Sequence, residues 1–177
     1  MLNSIDIHVL YFINKACSNT FLDYFSLFVT ELGSGEILFA VAAILILFKN
    51  RKMRMAGVLI LAGLTISYHV VGLLKGWVGR PRPFIMLPDL NRLYPEKGFS
   101  FPSGHSALAF MAASILSSFF RKYVVFFALA TMVALSRIYI GAHYLTDVAA
   151  GAVVGMIIGY SLVLVARQID PGLHKAI

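Results

Sequence analysis

A single cysteine, Cys17, stands in 177 residues. It closes no disulfide within the chain, and no second thiol or cysteine motif near it marks a metal or redox site, so it reads as a small apolar filler and leaves the compartment open. Charge is scarce as well: 13% of the residues are charged against 59% hydrophobic, and the mean hydropathy is +0.83. That composition is far more apolar than a soluble domain and places the chain in a bilayer. Acidic residues number 8 against 15 Lys and Arg, a formal charge of +7. An excess of that sign suits nucleic acid, anionic lipid or a phosphate substrate, but a chain this apolar has no long exposed basic surface for a duplex, which removes nucleic acid. The amino terminus lacks a basic n-region and a small-residue cleavage site, so insertion is expected to rely on internal spans. Low-complexity segments and sequence repeats are likewise wanting.

Long hydrophobic runs make up most of what is present. A hydrocarbon core about 30 Å thick needs roughly 20 apolar residues per helical span, which gives room for about five. The expected fold is all-α, a polytopic transmembrane helix bundle of about five spans plus an N-terminal interfacial helix, in one domain over residues 1–177. In residues 1–20, Ile5, Val9, Phe12 and Ile13 recur at helical spacing but Asp6, His8 and Lys15 interrupt them, which suits an amphipathic helix at the interface. The first span is expected from Phe21 to Phe48, kinked near Gly33 and Gly35, and the second from Met55 to Leu74. Residues 79–101 contain Pro81, Pro83, Pro88 and Pro95 and form a long loop. The third span runs from Ser103 to Phe120, the fourth from Tyr123 to Ile140 and the fifth from His143 to Ala166. In the fifth, Gly151, Gly155 and Gly159 form a stripe that lets a neighbouring helix come close.

Basic clusters flank membrane helices preferentially on the cytoplasmic side. Lys49, Arg51, Lys52 and Arg54, then Arg121 and Lys122, then Arg167 all fit one topology. The loop 79–101, the start of the third span and the Arg137–His143 turn then share the extracytoplasmic side, with the active site there. Ionisable groups at membrane helix ends are costly when unpaired, so their gathering on one side points to function.

His143 and Asp147 are four residues apart at a helix start and lie on one face. A carboxylate on one ring nitrogen fixes the tautomer and leaves the other nitrogen free to attack. Pro102, Ser103, Gly104 and His105 open a helix whose unpaired amides suit an anion, and His105 is placed to give a proton to a leaving alkoxide. Lys75, Arg82 and Arg137 supply cations for phosphoryl oxygens.

Lys75 with six residues before Arg82-Pro83, then Pro102-Ser103-Gly104-His105, then Ser136-Arg137 with five residues before His143 and three more before Asp147, resemble the motifs of the type 2 phosphatidic acid phosphatase superfamily. The resemblance implies a membrane lipid phosphatase with His143 as nucleophile, Asp147 as its orienting partner and His105 as acid and then base. It implies Lys75, Arg82, Ser103, Gly104 and Arg137 as phosphate ligands, a phosphohistidine intermediate, and neither metal nor organic cofactor. Members usually have six spans, so the short N-terminal helix stands in for the first. The partner is a phosphorylated lipid of a membrane expected to be the bacterial inner membrane; undecaprenyl pyrophosphate, phosphatidylglycerol phosphate, phosphatidic acid, diacylglycerol pyrophosphate and lipid A 1-phosphate all remain candidates. A noncatalytic lipid-binding or transport protein is the alternative, though it needs no nucleophile with an orienting carboxylate. Vanadate-dependent haloperoxidases share the motifs but on soluble scaffolds. Arg80, Arg92 and Lys97 lie outside the motifs and read as headgroup contacts, His69 as an interior packed or hydrogen-bonded histidine, and His8 and His174 as bystanders.

Overall fold

The computed structural model describes residues 3–170. Most of its helices start where a short polar side chain accepts an amide hydrogen of the first turn. Asn3 caps α1 (Ser4–Tyr11), which runs into a π-helical turn at Phe12–Ala16. Asn19 caps α2 (Thr20–Glu31), Ser34 caps α3 (Gly35–Leu47), and Asn50 caps α4 (Arg51–Val78). Gly79, at φ 62, ends α4 in the left-handed conformation that favours glycine. A single turn, α5 (Pro83–Met86), interrupts the loop that follows. Ser103 caps α6 (Gly104–Phe120), and α7 (Tyr123–Tyr139) and α8 (Leu145–Ile169) complete the chain.

The fold is the expected all-helical membrane bundle. The stretch beginning with α4, and α8, are each long and apolar enough to cross a bilayer. The first expected span is two helices, α2 and α3, bent by 52° where Ser34 restarts the helix. At 17 residues each, α6 and α7 sit at the short end of what a span requires, about 17–25 residues.

At the centre is α6, packed on α8, α7 and α4. The glycine stripe of α8 makes its approach close: a Cβ at Gly159 would stand 2.6 Å from the Met111 carbonyl oxygen, and one at Gly151 or Gly155 would strike the carbonyls of Ser103 and Ala107. The start of α6 is thereby pinned to the start of α8. Ala42, Ala56, Ile60, Met111, Ile115 and Val163 fill the interior beside it, while Phe39, Leu73, Trp77 and Ile157 stay on the outer surface, as suits a helix facing lipid. An Arg51–Asp170 ion pair ties the start of α4 to the end of α8.

The N-terminal helix and the turn after it bury one side. Asp6, Leu10 and Asn14 are buried, and the Asn14 amide donates to the Tyr139 carbonyl at 2.6 Å and the Asn91 carbonyl at 2.9 Å. Of the residues that interrupt its apolar pattern Asp6 docks it, joined by Asn14 of the π-helical turn, while His8 and Lys15 stay exposed.

Candidate active site

Between α7 and α8 the chain turns at Gly141 (φ 76), where a Cβ would stand 3.0 Å from the Asn91 carbonyl oxygen. The next two amides, of Ala142 and His143, both donate to the Arg137 carbonyl at 3.2 Å. This folds His143 back over the end of α7, beside the first turn of α8. His143 and Asp147 are both buried, with Asp147 Oδ2 3.6 Å from His143 Nδ1. Ser100 sits against both: its Oγ is 3.4 Å from Nδ1 and donates to Oδ2. The Tyr144 amide also donates to Oδ2, at 2.9 Å, and Arg80 Nη1 donates to Oδ1 at 2.6 Å. Both carboxylate oxygens are therefore held, with the imidazole beside Oδ2. On the far side of the imidazole, Nε2 lies 3.4 Å from Arg82 Nη1. Burial pushes the His143 imidazole down to about 4, the guanidiniums of Arg137 and Arg82 add to this, and Asp147 opposes it. The ring is neutral at physiological pH.

Backbone carbonyls position Arg82 and Lys75, and side chains position Arg137. Arg82, 3% exposed, donates from Nε to the Gly98 carbonyl at 3.1 Å, from Nη2 to the Lys97 carbonyl at 2.8 Å and from Nη1 to the Ala142 carbonyl at 3.2 Å. Arg137, fully buried, donates from Nη1 to Thr30 Oγ1 at 2.8 Å, and its Nε has no partner. Lys75 Nζ donates to the Phe99 carbonyl at 2.6 Å and lies in electrostatic range of Arg82, Glu96, Asp147 and Arg137. His105, in the first turn of α6, lies in range of Arg137, Glu96, His143 and Arg82. Ser103 is buried; its amide donates to the Asp147 carbonyl at 2.9 Å, and its Oγ accepts from Ser106 as the α6 cap. At Gly104 a Cβ would meet only Val71, at 3.9 Å, so the backbone there is open. The eight residues expected at the site thus gather where α4, α6, α7, α8 and the 79–101 loop meet.

Sequence reading missed four participants and misread a fifth. Ser100, Thr30, Asp6 and Glu96 belong to no spaced pattern. Arg80, expected to reach a headgroup, turns inward: Nη2 donates to Asp6 Oδ2 at 2.7 Å, Nη1 reaches Thr146 Oγ1 and Asp147, and the guanidinium lies 4.0 Å from the Tyr144 ring centroid. Two carboxylates outcompete solvent for it. Arg92 packs over the Phe84 ring, and Lys97 is exposed and offers its carbonyl to Arg82. His69 is hydrogen-bonded, to the Thr65 carbonyl at 2.8 Å, but stands on the outer side of α4 rather than in the interior. His8 bonds the Ser4 carbonyl, and His174 lies outside the described residues.

A cavity of about 1010 Å³ opens between α3, α4 and α6, walled by Phe39, Leu64, Val71, Gly72 and Leu108 and sharing Lys75 and Gly104 with the site. Among the described residues, no set of three or more His, Cys, Asp or Glu side chains gathers to hold a metal ion.

A neutral histidine backed by a carboxylate, facing clustered cations at the head of a helix and bordered by an apolar groove, is the equipment of a phosphatase for membrane lipids. The sequence model of the PAP2 superfamily matches residues 53–170, and the chain belongs to that superfamily. It is 31% identical to phosphatidylglycerophosphatase B of Bacillus subtilis over 73% of this chain and 68% of that one. It is 32% identical to a lipid A 4'-phosphatase of Bacteroides thetaiotaomicron, over 98% of this chain and 82% of that one, and 36% identical to the undecaprenyl-diphosphatase BcrC of Bacillus subtilis, over 80% and 74%. The crystal structure of Aquifex aeolicus LpxE superposes with a TM-score of 0.80 at 32% identity, covering 91% of this chain and 96% of that one. The phosphatidylglycerolphosphate phosphatase of Bacillus subtilis superposes at 0.77 and 25% identity, covering 96% and 89%. The chain is an integral membrane lipid phosphatase that hydrolyses lipid phosphate esters.

Proposed function

We propose that the chain removes a terminal phosphate, as a monoester or from a pyrophosphate, from a lipid headgroup at the extracytoplasmic face of a bacterial inner membrane, through a phosphohistidine on His143 and without a metal. The observation that carries this is the orientation of His143, with Nδ1 toward Asp147 and Nε2 toward the Arg82 guanidinium. The Nε2 lone pair attacks phosphorus, and the bond from phosphorus to the leaving oxygen breaks. His105, its imidazolium stabilised by the bound phosphate anion, gives that oxygen its proton, while Asp147 stabilises the imidazolium formed on His143. Lys75, Arg82, Arg137 and the amides at Gly104 meet the charge on the equatorial oxygens, and Ser103 holds the α6 start in place. Water, deprotonated by His105, then attacks phosphorus; the bond to Nε2 breaks and inorganic phosphate leaves. The groove between α3, α4 and α6 takes the acyl or prenyl chain and delivers the headgroup past Lys75 and Gly104. The three curated relatives act on different lipids, as their names state, so the groove and loop rather than the phosphate ligands set the substrate.

The test is phosphate release by purified protein in detergent with EDTA present, against undecaprenyl pyrophosphate, phosphatidylglycerol phosphate, phosphatidic acid, diacylglycerol pyrophosphate and lipid A 1-phosphate, with His143→Ala alongside. Release that survives EDTA and is lost in the variant is expected. Release that persists in His143→Ala, or that stops with EDTA, refutes the mechanism.

A further inference from the structure

Glu96 hangs from the proline-rich loop and places one carboxylate oxygen on Arg137 Nη2 and the other 3.0 Å from Arg82 Nη2. Its side chain is 15% exposed between guanidiniums that are 0% and 3% exposed. Two oxygens bridging two forks is how a pair of phosphoryl oxygens engages the same arginines. We infer that Glu96 is a specificity residue, an internal carboxylate that occupies the phosphate seat and yields it to a terminal phosphate but not to a phosphodiester. The inference rests on the assignment of Arg82 and Arg137 to the phosphoryl oxygens.

Charge decides the exchange. A bilayer is built largely of phosphodiester lipids, each with one negative charge and two unesterified oxygens, much like a carboxylate. Replacing Glu96 with such a headgroup gains neither charge nor contacts. A terminal phosphate carries about −1.5 to −2 at pH 7 and a third acceptor oxygen. It adds attraction to both arginines and has an oxygen left for Lys75 or the amides at the start of α6. Glu96 is a firm competitor: burial works against its ionisation, but Arg137 and Arg82 outweigh burial and hold its carboxyl below the usual range. Only its side chain has to leave, because Arg82 keeps the loop backbone through the carbonyls of Lys97 and Gly98. Without such a competitor, every neighbouring diester headgroup able to reach the seat inhibits the enzyme.

If the carboxylate holds the seat nine-tenths to ninety-nine hundredths of the time, it weakens the apparent affinity of every anion there by the same factor, about ten- to a hundredfold, which empties the seat of diester headgroups while a terminal phosphate, bound more tightly from the start, still enters. Glu96→Gln keeps the shape and removes the charge; Glu96→Asp keeps the charge. The full chain in detergent is titrated with inorganic phosphate by calorimetry, and its hydrolysis of phosphatidic acid, held below the KM of each chain, is measured with increasing phosphatidylglycerol in mixed micelles. Glu96→Gln is expected to bind phosphate at least about tenfold more tightly than the unmodified chain, and to be inhibited by about tenfold less phosphatidylglycerol. Glu96→Asp is expected to stay near the unmodified chain in both. Phosphate binding that is unchanged or weaker in Glu96→Gln overturns the inference, as does tighter phosphate with unmoved diester inhibition. Failure of the unmodified chain and both variants to bind phosphate removes the seat itself, and with it the assignment of the two arginines. Calorimetry needs no turnover, so that failure is distinct from a loss of His143 chemistry.

Discussion

Arg80→Ala separates the support of Asp147 from the binding of phosphate. In the native chain one guanidinium spans two carboxylates, Asp147 Oδ1 at 2.6 Å and Asp6 Oδ2 at 2.7 Å, with side chains 0% and 1% exposed. Truncation leaves two buried anions facing one another. Removing one partner of a buried pair costs about 3–5 kcal/mol. Arg80 itself keeps 15% exposure, and the Thr146 amide still donates to Asp6 at 2.9 Å, so the low end, about 3 kcal/mol, is expected. Asp147 also loses one of the contacts that aim it at His143, and misplacement of this kind costs about a hundredfold in rate. The phosphate ligands are untouched, so kcat should fall and KM should hold. Denaturation followed in detergent gives the first quantity, and phosphate release gives the second. The double variant Asp6→Asn with Arg80→Ala removes one of the stranded charges, while the Asn oxygen still accepts from the Thr146 amide. It should recover stability without recovering kcat. Full activity in Arg80→Ala, or a double variant no more stable than the single, refutes this account.

Two further outcomes are expected. The His143 ring should titrate far below the ordinary histidine value, near 4, because burial and the guanidiniums disfavour its cation. It therefore stays neutral as pH falls through 6 and 5, and protonates only near 4. Asp147→Asn, which removes the group opposing the shift, should move the midpoint lower still, and ring nitrogen NMR, assigned with His143→Ala, reads both; a midpoint near 6.5 refutes the reasoning. A side chain at Gly72 meets nothing within 4 Å and enters the groove. Gly72→Leu should raise KM for a lipid substrate about tenfold, the equivalent of two displaced methylenes at about 0.8 kcal/mol each. Its affinity for inorganic phosphate, read by calorimetry, should stay unchanged; an unchanged KM removes the groove from the lipid path.

What the sequence reveals of this site is what local spacing dictates. His143 and Asp147 share a helical turn, Ser103 to His105 open a helix, and the glycine stripe of α8 has a helical period; each relation is set within a few residues. Spans follow from apolar run length, and the 52° break between α2 and α3 follows from Gly33, Ser34 and Gly35. The misread or missed residues depend on partners distant in the chain: Arg80 on Asp6, 74 residues away, and Glu96 on Arg137, 41 away. An ionisable group inside a membrane protein needs a partner, but that rule does not say which one. The outcome can still be reasoned from scarcity. With 8 acidic residues in the chain, three of them, Asp6, Glu96 and Asp147, are gathered among Lys75, Arg80, Arg82 and Arg137. Asp6 and Asp147 are each bound to Arg80 and to a backbone amide. Among the ion pairs of the described residues, Glu96 is the acid paired with Arg82 and Arg137. With phosphate assigned to Arg82 and Arg137, a substrate competes with the Glu96 carboxylate as well as with water.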